Sequence, residues 1–193
     1  NVLYVTNRSQ KVTNIWLGTI SDAKVSSFEI LHGLKASAAM PKFTSKSTGN
    51  TYDGVTYSGY YRSSDYILPI VAKAEVTAED GKAKATHYIV IDSDEAGEYV
   101  ISVNALTCED KTYFDEEQGL LFTQADQSAV LVADSETIAL GETKKGEWIW
   151  SSSDLTVAKV DENGKVTSVG GGSATITASC GRISATCKVT STA

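Results

Sequence analysis

WIWSSSDLTVAKVDENGKVTSVGGGSATI, residues 148–176, decides how this chain is read. Apolar and polar residues alternate in short runs: Trp148/Trp150, then Val157-Ala158-Lys159-Val160, then Lys165-Val166-Thr167-Ser168-Val169, then Ala174-Thr175-Ile176. Ser/Asp, Asp-Glu-Asn-Gly and Gly-Gly-Gly breaks separate the runs. A period of two places every second side chain on one face of a strand, and short strands at this spacing predict a β-sandwich. Asn163-Gly164 is the strongest break, because a two-residue type I′ turn needs positive φ at both central positions and these residues tolerate it. The stretch therefore predicts a hairpin.

Trp150-Ser151-Ser152-Ser153-Asp154, Val157-Ala158-Lys159-Val160-Asp161, Asn163-Gly164-Lys165-Val166, Gly172-Ser173-Ala174-Thr175-Ile176-Thr177 and Cys187-Lys188-Val189-Thr190 follow one another in an order that resembles the successive blocks of the bacterial Ig-like domain, group 2. The likeness covers residues 128–193. Trp148 stands where that family has an aliphatic residue, and the segment before it is short, so residues 129–140 must supply the first two strands. The resemblance implies a sandwich that serves as a spacer and adhesion module, found in bacterial surface proteins and in phage structural proteins, and it implies that Trp150 is buried between the two sheets beside Val160, Val166, Ile176 and Cys187. It implies architecture more firmly than it implies a ligand.

At 193 residues, with 41% hydrophobic residues and two prolines, the chain has room for two folded domains. The expected division is 1–127, a β-rich domain for assembly or docking, and 128–193, the Ig-like domain. The expected fold class is mainly β, two sandwich-like domains with one short helix near residues 26–39. No apolar run approaches the ~18 residues of a membrane span, so membrane insertion is not expected. The first residues, Asn-Val-Leu-Tyr-Val-Thr, show no charged-then-apolar leader pattern, and export stays open. Of the net charge of −7, six units belong to the N-terminal part, with 17 acidic against 11 basic residues up to Gln127. No Lys/Arg cluster alternates with aromatics as a phosphate-binding surface requires, so nucleic acid is not an expected partner. The run EDKTYFDEE, residues 109–117, reads as a solvated loop.

Three cysteines cannot all pair within one chain. With Gly181-Arg182 as a two-residue turn, Cys180 faces Ile183 and Cys187 faces Ile176. At ~3.4 Å per residue this separates the two sulfurs well beyond disulfide reach. Cys187 reads as a small core residue, and Cys108 has no assignable partner.

In the N-terminal part, residues 2–6 and 12–20 read as strands, with Trp16 in the core. The segment SSFEILHGLKASAA, residues 26–39, has helical spacing: Ser26 and Glu29 can form a capping box, and Phe28, Leu31 and Leu34 recur every third residue. A strand through Phe28 to Leu31 is the alternative. Residues 42–66 are rich in Ser, Thr, Gly, Asn and Tyr. Tyr52, Tyr57, Tyr60, Tyr61 and Tyr66 lie there either as a contact surface, since tyrosine brings large rigid area at low entropic cost, or as the cover of an edge hairpin. Residues 70–78 and 83–91 alternate cleanly and join at Asp80-Gly81, and a further strand spans 99–106. Glu95-Ala96-Gly97-Glu98-Tyr99 is similar to a tyrosine corner. Asp92-Ser93-Asp94 reads as a polar turn and not as a calcium loop.

The chain has no nucleophile elbow, HExxH, P-loop, dinucleotide fingerprint or CxxC, and its two histidines lack metal-ligand spacing. No catalytic, metal or cofactor site is expected. The first functional expectation is a structural component of a phage virion, such as a capsid decoration, tail or fibre, that assembles with copies of itself or with other structural proteins. The alternative is a bacterial cell-surface adhesin or stalk that binds a host-surface glycan or protein.

Overall fold

The computed structural model describes residues 2–9, 11–19, 23–42, 51–52, 55–91, 97–139 and 147–193, and among them every regular element is a strand. The chain forms two compact units, Asn1–Glu95 and Ala96–Ala193. The expected boundary after Gln127 thus falls inside the second unit, for a reason given by its strand pairing below. The polar turn expected at Asp92-Ser93-Asp94 and the start of the tyrosine-corner pattern, at Glu95-Ala96, lie outside the described residues.

The first unit contains β1 (Val2–Thr6), β2 (Val12–Thr19), β3 (Ala23–Leu34), β4 (Thr51–Tyr52), β5 (Val55–Arg62), β6 (Tyr66–Ala78) and β7 (Lys84–Ile91). They form two antiparallel sheets, β1-β2-β5-β4 and β3-β6-β7. Ile15, Leu17 and Tyr61 of the first sheet pack with Ile30, Ile70, Ala72 and Ile91 of the second in one buried cluster. The β6–β7 hairpin turns at Asp80-Gly81 as the sequence predicts. Gly81 has φ 73°, its N–H donates to the Ala78 carbonyl, and the Lys82 N–H donates to the Asp80 carboxylate at 2.9 Å.

The helix expected at 26–39 is overturned: this segment is β3 and, beyond it, turn and irregular backbone. The strand alternative is the one the fold takes, and β-bulges explain the misleading spacing. Val25 faces Val76 and Ser27 faces Glu75, leaving Ser26 as an extra residue; Ile30 faces Ala72 and His32 faces Val71, leaving Leu31 as another. Each bulge shifts the alternation by one. Val25 and Phe28, three apart, and Ile30 and Leu34, four apart, therefore all join one core, while Leu31, the middle residue of the expected stripe, is the extra residue of a bulge, buried but outside that cluster. The Ser26 hydroxyl caps no helix; it bonds the Glu75 carbonyl at 3.1 Å and the Thr77 hydroxyl at 2.6 Å. Gly33, a weak residue in a helix, is required here. Its φ is 97°, and a Cβ would sit 2.6 Å from the Pro69 carbonyl oxygen.

The second unit contains β8 (Glu98–Thr107), β9 (Phe114–Asp115), β10 (Gly119–Phe122), β11 (Ser128–Val130), β12 (Val132–Ala139), β13 (Ile149–Ser152), β14 (Ala158–Val160), β15 (Lys165–Ser168), β16 (Gly172–Cys180) and β17 (Ile183–Ser191). The sheets are β13-β16-β17-β10-β9, β11-β15-β14 and β12-β8. Here lies the reason for the boundary: β10 pairs in parallel with β17, Leu120 opposite Val189, and β8 pairs with β12 along its whole length. Residues 98–122 thereby complete the sheets of the C-terminal module. Residues 129–140 do supply two strands, broken at buried Leu131, whose N–H donates to the Gly164 carbonyl at 2.9 Å. Leu120, Phe122, Leu131, Val166, Ile176 and Val189 form the core, and the Ser168 and Ser191 hydroxyls bond each other inside it at 2.9 Å.

The predicted β14–β15 hairpin forms, but its turn is not type I′. Asp161 N–H donates to the Lys165 carbonyl and Gly164 N–H to the Asp161 carbonyl, and of the loop residues Gly164 alone has positive φ, 78°. This is a three-residue loop in which a type I turn ends in a left-handed glycine. The Asp161 carboxylate decides between the two geometries by accepting the N–H groups of Asn163 at 2.9 Å and Lys165 at 3.0 Å. A Cβ at Gly164 would lie 2.4 Å from the Leu131 carbonyl oxygen and 2.8 Å from the Trp150 ring. Trp150 packs against the core cluster, yet it is half-buried at the sheet edge, less enclosed than expected. The cysteine register is as derived: Cys180 faces Ile183, Cys187 faces Ile176, and all three thiols are free and buried.

Candidate interaction surface

Strands β2 and β5 carry the site because their pleat sorts aromatic residues onto two faces. Ile15 pairs with Tyr61, and both point into the core; Trp16 pairs with Tyr60, and Asn14 with Arg62, so these four lie on the outer face. Trp16 was expected in the core, but the alternation that buries Ile15 and Leu17 puts it on the other side, half-buried. Its ring lies 4.9 Å from that of Tyr60, tilted by 32°. The Asn14 amide donates to the Tyr60 hydroxyl, while the Thr13 hydroxyl donates to the Asn14 carboxamide oxygen at 2.5 Å. The outer face of the sheet therefore presents a fixed aromatic pair flanked by an amide and an exposed guanidinium. Such rings offer apolar area with polar tips, the composition of contact surfaces.

The five tyrosines singled out in the sequence separate on this structure. Tyr61 and Tyr66 are 4% exposed and belong to the core, Tyr61 stacked on Phe28 at 3.9 Å. Tyr60 is on the outer face and Tyr57 is half-buried beside Gly18. Tyr52 lies on β4 at the sheet edge, and its side chain is outside the described residues. Burial pushes the Tyr61 hydroxyl up to about 12. The Tyr66 hydroxyl is raised further, by burial first and then by the neighbouring Tyr61 and Tyr60. Among the described residues, the Tyr66 hydroxyl is the single buried side-chain polar atom with no hydrogen-bond partner. Burial therefore keeps both phenols neutral across the physiological range.

Other candidates do not converge. His32 faces Val71 on β3, whereas His87, exposed on β7, faces Ala74 and borders an apolar cleft of about 530 Å³ with Leu17, Val25, Val55 and Ile89. Among the described residues no group of three His, Cys, Asp or Glu side chains could hold a metal ion. The acidic run at 109–117 is mostly exposed and anchored by buried Phe114, with Lys111 4.5 Å above its ring. There the Thr112 hydroxyl and N–H bond the Asp110 carboxylate and hold it below the usual range. These bonds close the turn at residues 110–112. The outer-face role of Asn14 and Trp16 was readable from the alternation of β2, had strand pairing with β5 been known.

Residues 141–182 match the family model of the immunoglobulin-like domain of intimin. The crystal structure of domains 4 and 5 of the S-layer protein SbsC is similar over 88% of this chain and 100% of that one, at 14% identity and a TM-score of 0.32. No curated protein matches. The second unit contains a bacterial Ig-like domain.

Proposed function

We propose that this protein is a non-enzymatic structural component of a bacterial cell surface, in which the Ig-like unit serves as a stalk or adhesion module. The observation that supports it is the match of residues 141–182 to the Ig-like domain of intimin, in the unit whose sequence blocks run through β13 to β17. Those blocks favour group 2 among bacterial Ig-like domains. The phage virion reading uses the same kind of module, but the family match lends it nothing. In the first unit the outer face of β2 and β5, with Trp16 and Tyr60, is the contact surface toward copies of the chain or other surface components. Tyr61 and Tyr66 support that face from below.

Fractionation of source cells with an antibody to the chain tests the location. The expected result is recovery in the envelope fraction and loss of signal when intact cells are treated with protease. Recovery in particles, or in a cytosolic fraction resistant to that treatment, would overturn the surface reading. For the contact surface, sedimentation of the wild-type chain is compared with Tyr60→Ser, a change that leaves the buried tyrosines in place. Self-association weakened by about tenfold is expected, as for loss of one interfacial aromatic. Equal sedimentation of the two would remove this face from the assembly.

A further inference from the structure

The second unit carries a groove that the proposed stalk role does not use. It measures about 730 Å³ and is lined by Trp148, Trp150, Val132 and residues 162–163 of the β14–β15 turn. Its construction follows from the pleat. Trp150 pairs with fully buried Ala178 and so faces inward, Ile149 points outward and is 69% exposed, and Trp148 returns to the side of Trp150. Both indoles are half-buried, and each leaves surface to the groove. Glu147 and Glu162 stand exposed at its rim beside Asn163, and no basic side chain lines it among the described residues.

We propose that this groove binds a lysine or arginine side chain of an extended partner polypeptide that adds alongside β13. Two observations choose this occupant. The first is charge: two carboxylates next to indole rings attract a cation twice, by Coulomb interaction and through the ring quadrupole, for which tryptophan is the best aromatic. The second is the position of β13 at the end of its sheet, where its outer backbone row has no neighbouring strand among the described residues. An extended segment can pair with such an edge and project alternate side chains to one face, and there the two tryptophans lie. The proposal concerns binding by the unit itself and does not depend on where the protein resides.

The test is calorimetric titration of the full chain with an acetylated heptapeptide bearing lysine at alternate positions, against peptides with norleucine or glutamate there and against a neutral oligosaccharide. Saturable binding of the lysine peptide alone is expected, weakening by about tenfold when salt rises from about 50 to about 500 mM. Glu147→Gln/Glu162→Gln, at exposed positions, should weaken it by about tenfold, and Trp148→Phe by a smaller factor than Trp148→Ala. A thermal melt of each variant separates lost binding from lost folding. No binding, equal binding of the norleucine peptide, or preference for the oligosaccharide overturns the proposal. Binding that emerges only in Lys144→Gln/Lys145→Gln also overturns it, since the chain's own lysines would then be the occupant.

Discussion

The two units solve one problem, burying two sheet faces, with different materials. In the second unit the central ladder is regular: from Gly172–Ser191 to Cys180–Ile183 the β16–β17 register runs without a shift, and Ala174, Ile176 and Ala178 face inward in strict alternation. In the first unit β3 is bulged three times against β6, and the core includes Tyr61 and Tyr66, whose hydroxyls go into the interior with the rings. The regular ladder sets alanines on its inner face, and Phe114, Leu120 and Phe122 fill the space beside them without burying a polar tip. Bulged, twisting strands leave irregular space that large rings fill, with the consequence that a hydroxyl is stranded at Tyr66. Around β16 and β17 a regular register goes with paired polar burial, Ser168 with Ser191; around β3 and β6 the register is broken and the buried Tyr66 hydroxyl is unpaired.

Three measurements sharpen or break this contrast. The largest effect is expected for Ile176→Ala, at about 4 kcal/mol, because the regular, unshifted ladder around it does not close over the cavity. Ile30→Ala, beside the bulge at Leu31, should cost less, about 2–3 kcal/mol, through local collapse. Denaturant unfolding of each variant reads both, and a larger loss at Ile30 would end the distinction between a rigid and an adaptable core. Next come Gly33→Ala and Gly164→Ala, each expected to destabilise by about 2–3 kcal/mol, since both combine positive φ with a backbone carbonyl where the Cβ must go. A small loss at Gly33 alone would mean that the bulge there relaxes. The smallest effect is for Tyr66→Phe: deletion of an unpartnered buried hydroxyl should leave stability unchanged or raise it by up to about 1 kcal/mol. A clear loss would reveal a partner for that hydroxyl and remove the polar-burial side of the comparison.

Reading the sequence was most successful where contacts are local. The β6–β7 hairpin at Asp80-Gly81, the β14–β15 hairpin at Gly164 and the register of Cys180 against Ile183 follow from neighbours in the chain. The candidate surface was half legible: the concentration of tyrosines marked the region, but their division between core and surface was hidden. It depends on which residue of β2 lies opposite which residue of β5.

What the sequence determined by itself is the β class, the alternation within each strand and the places where the chain turns, because these rest on side-chain period and on backbone freedom at single residues. Tertiary structure alone decided three things. It made residues 26–34 a strand, since the ladder to β6 outweighs a local capping pattern. It put residues 98–122 into the second unit through the pairing of β10 with β17 and β8 with β12. It also brought Glu147 and Glu162 to one tryptophan-lined groove. All three depend on segments distant in the chain meeting in one register, and no period within a single segment encodes which partner that will be.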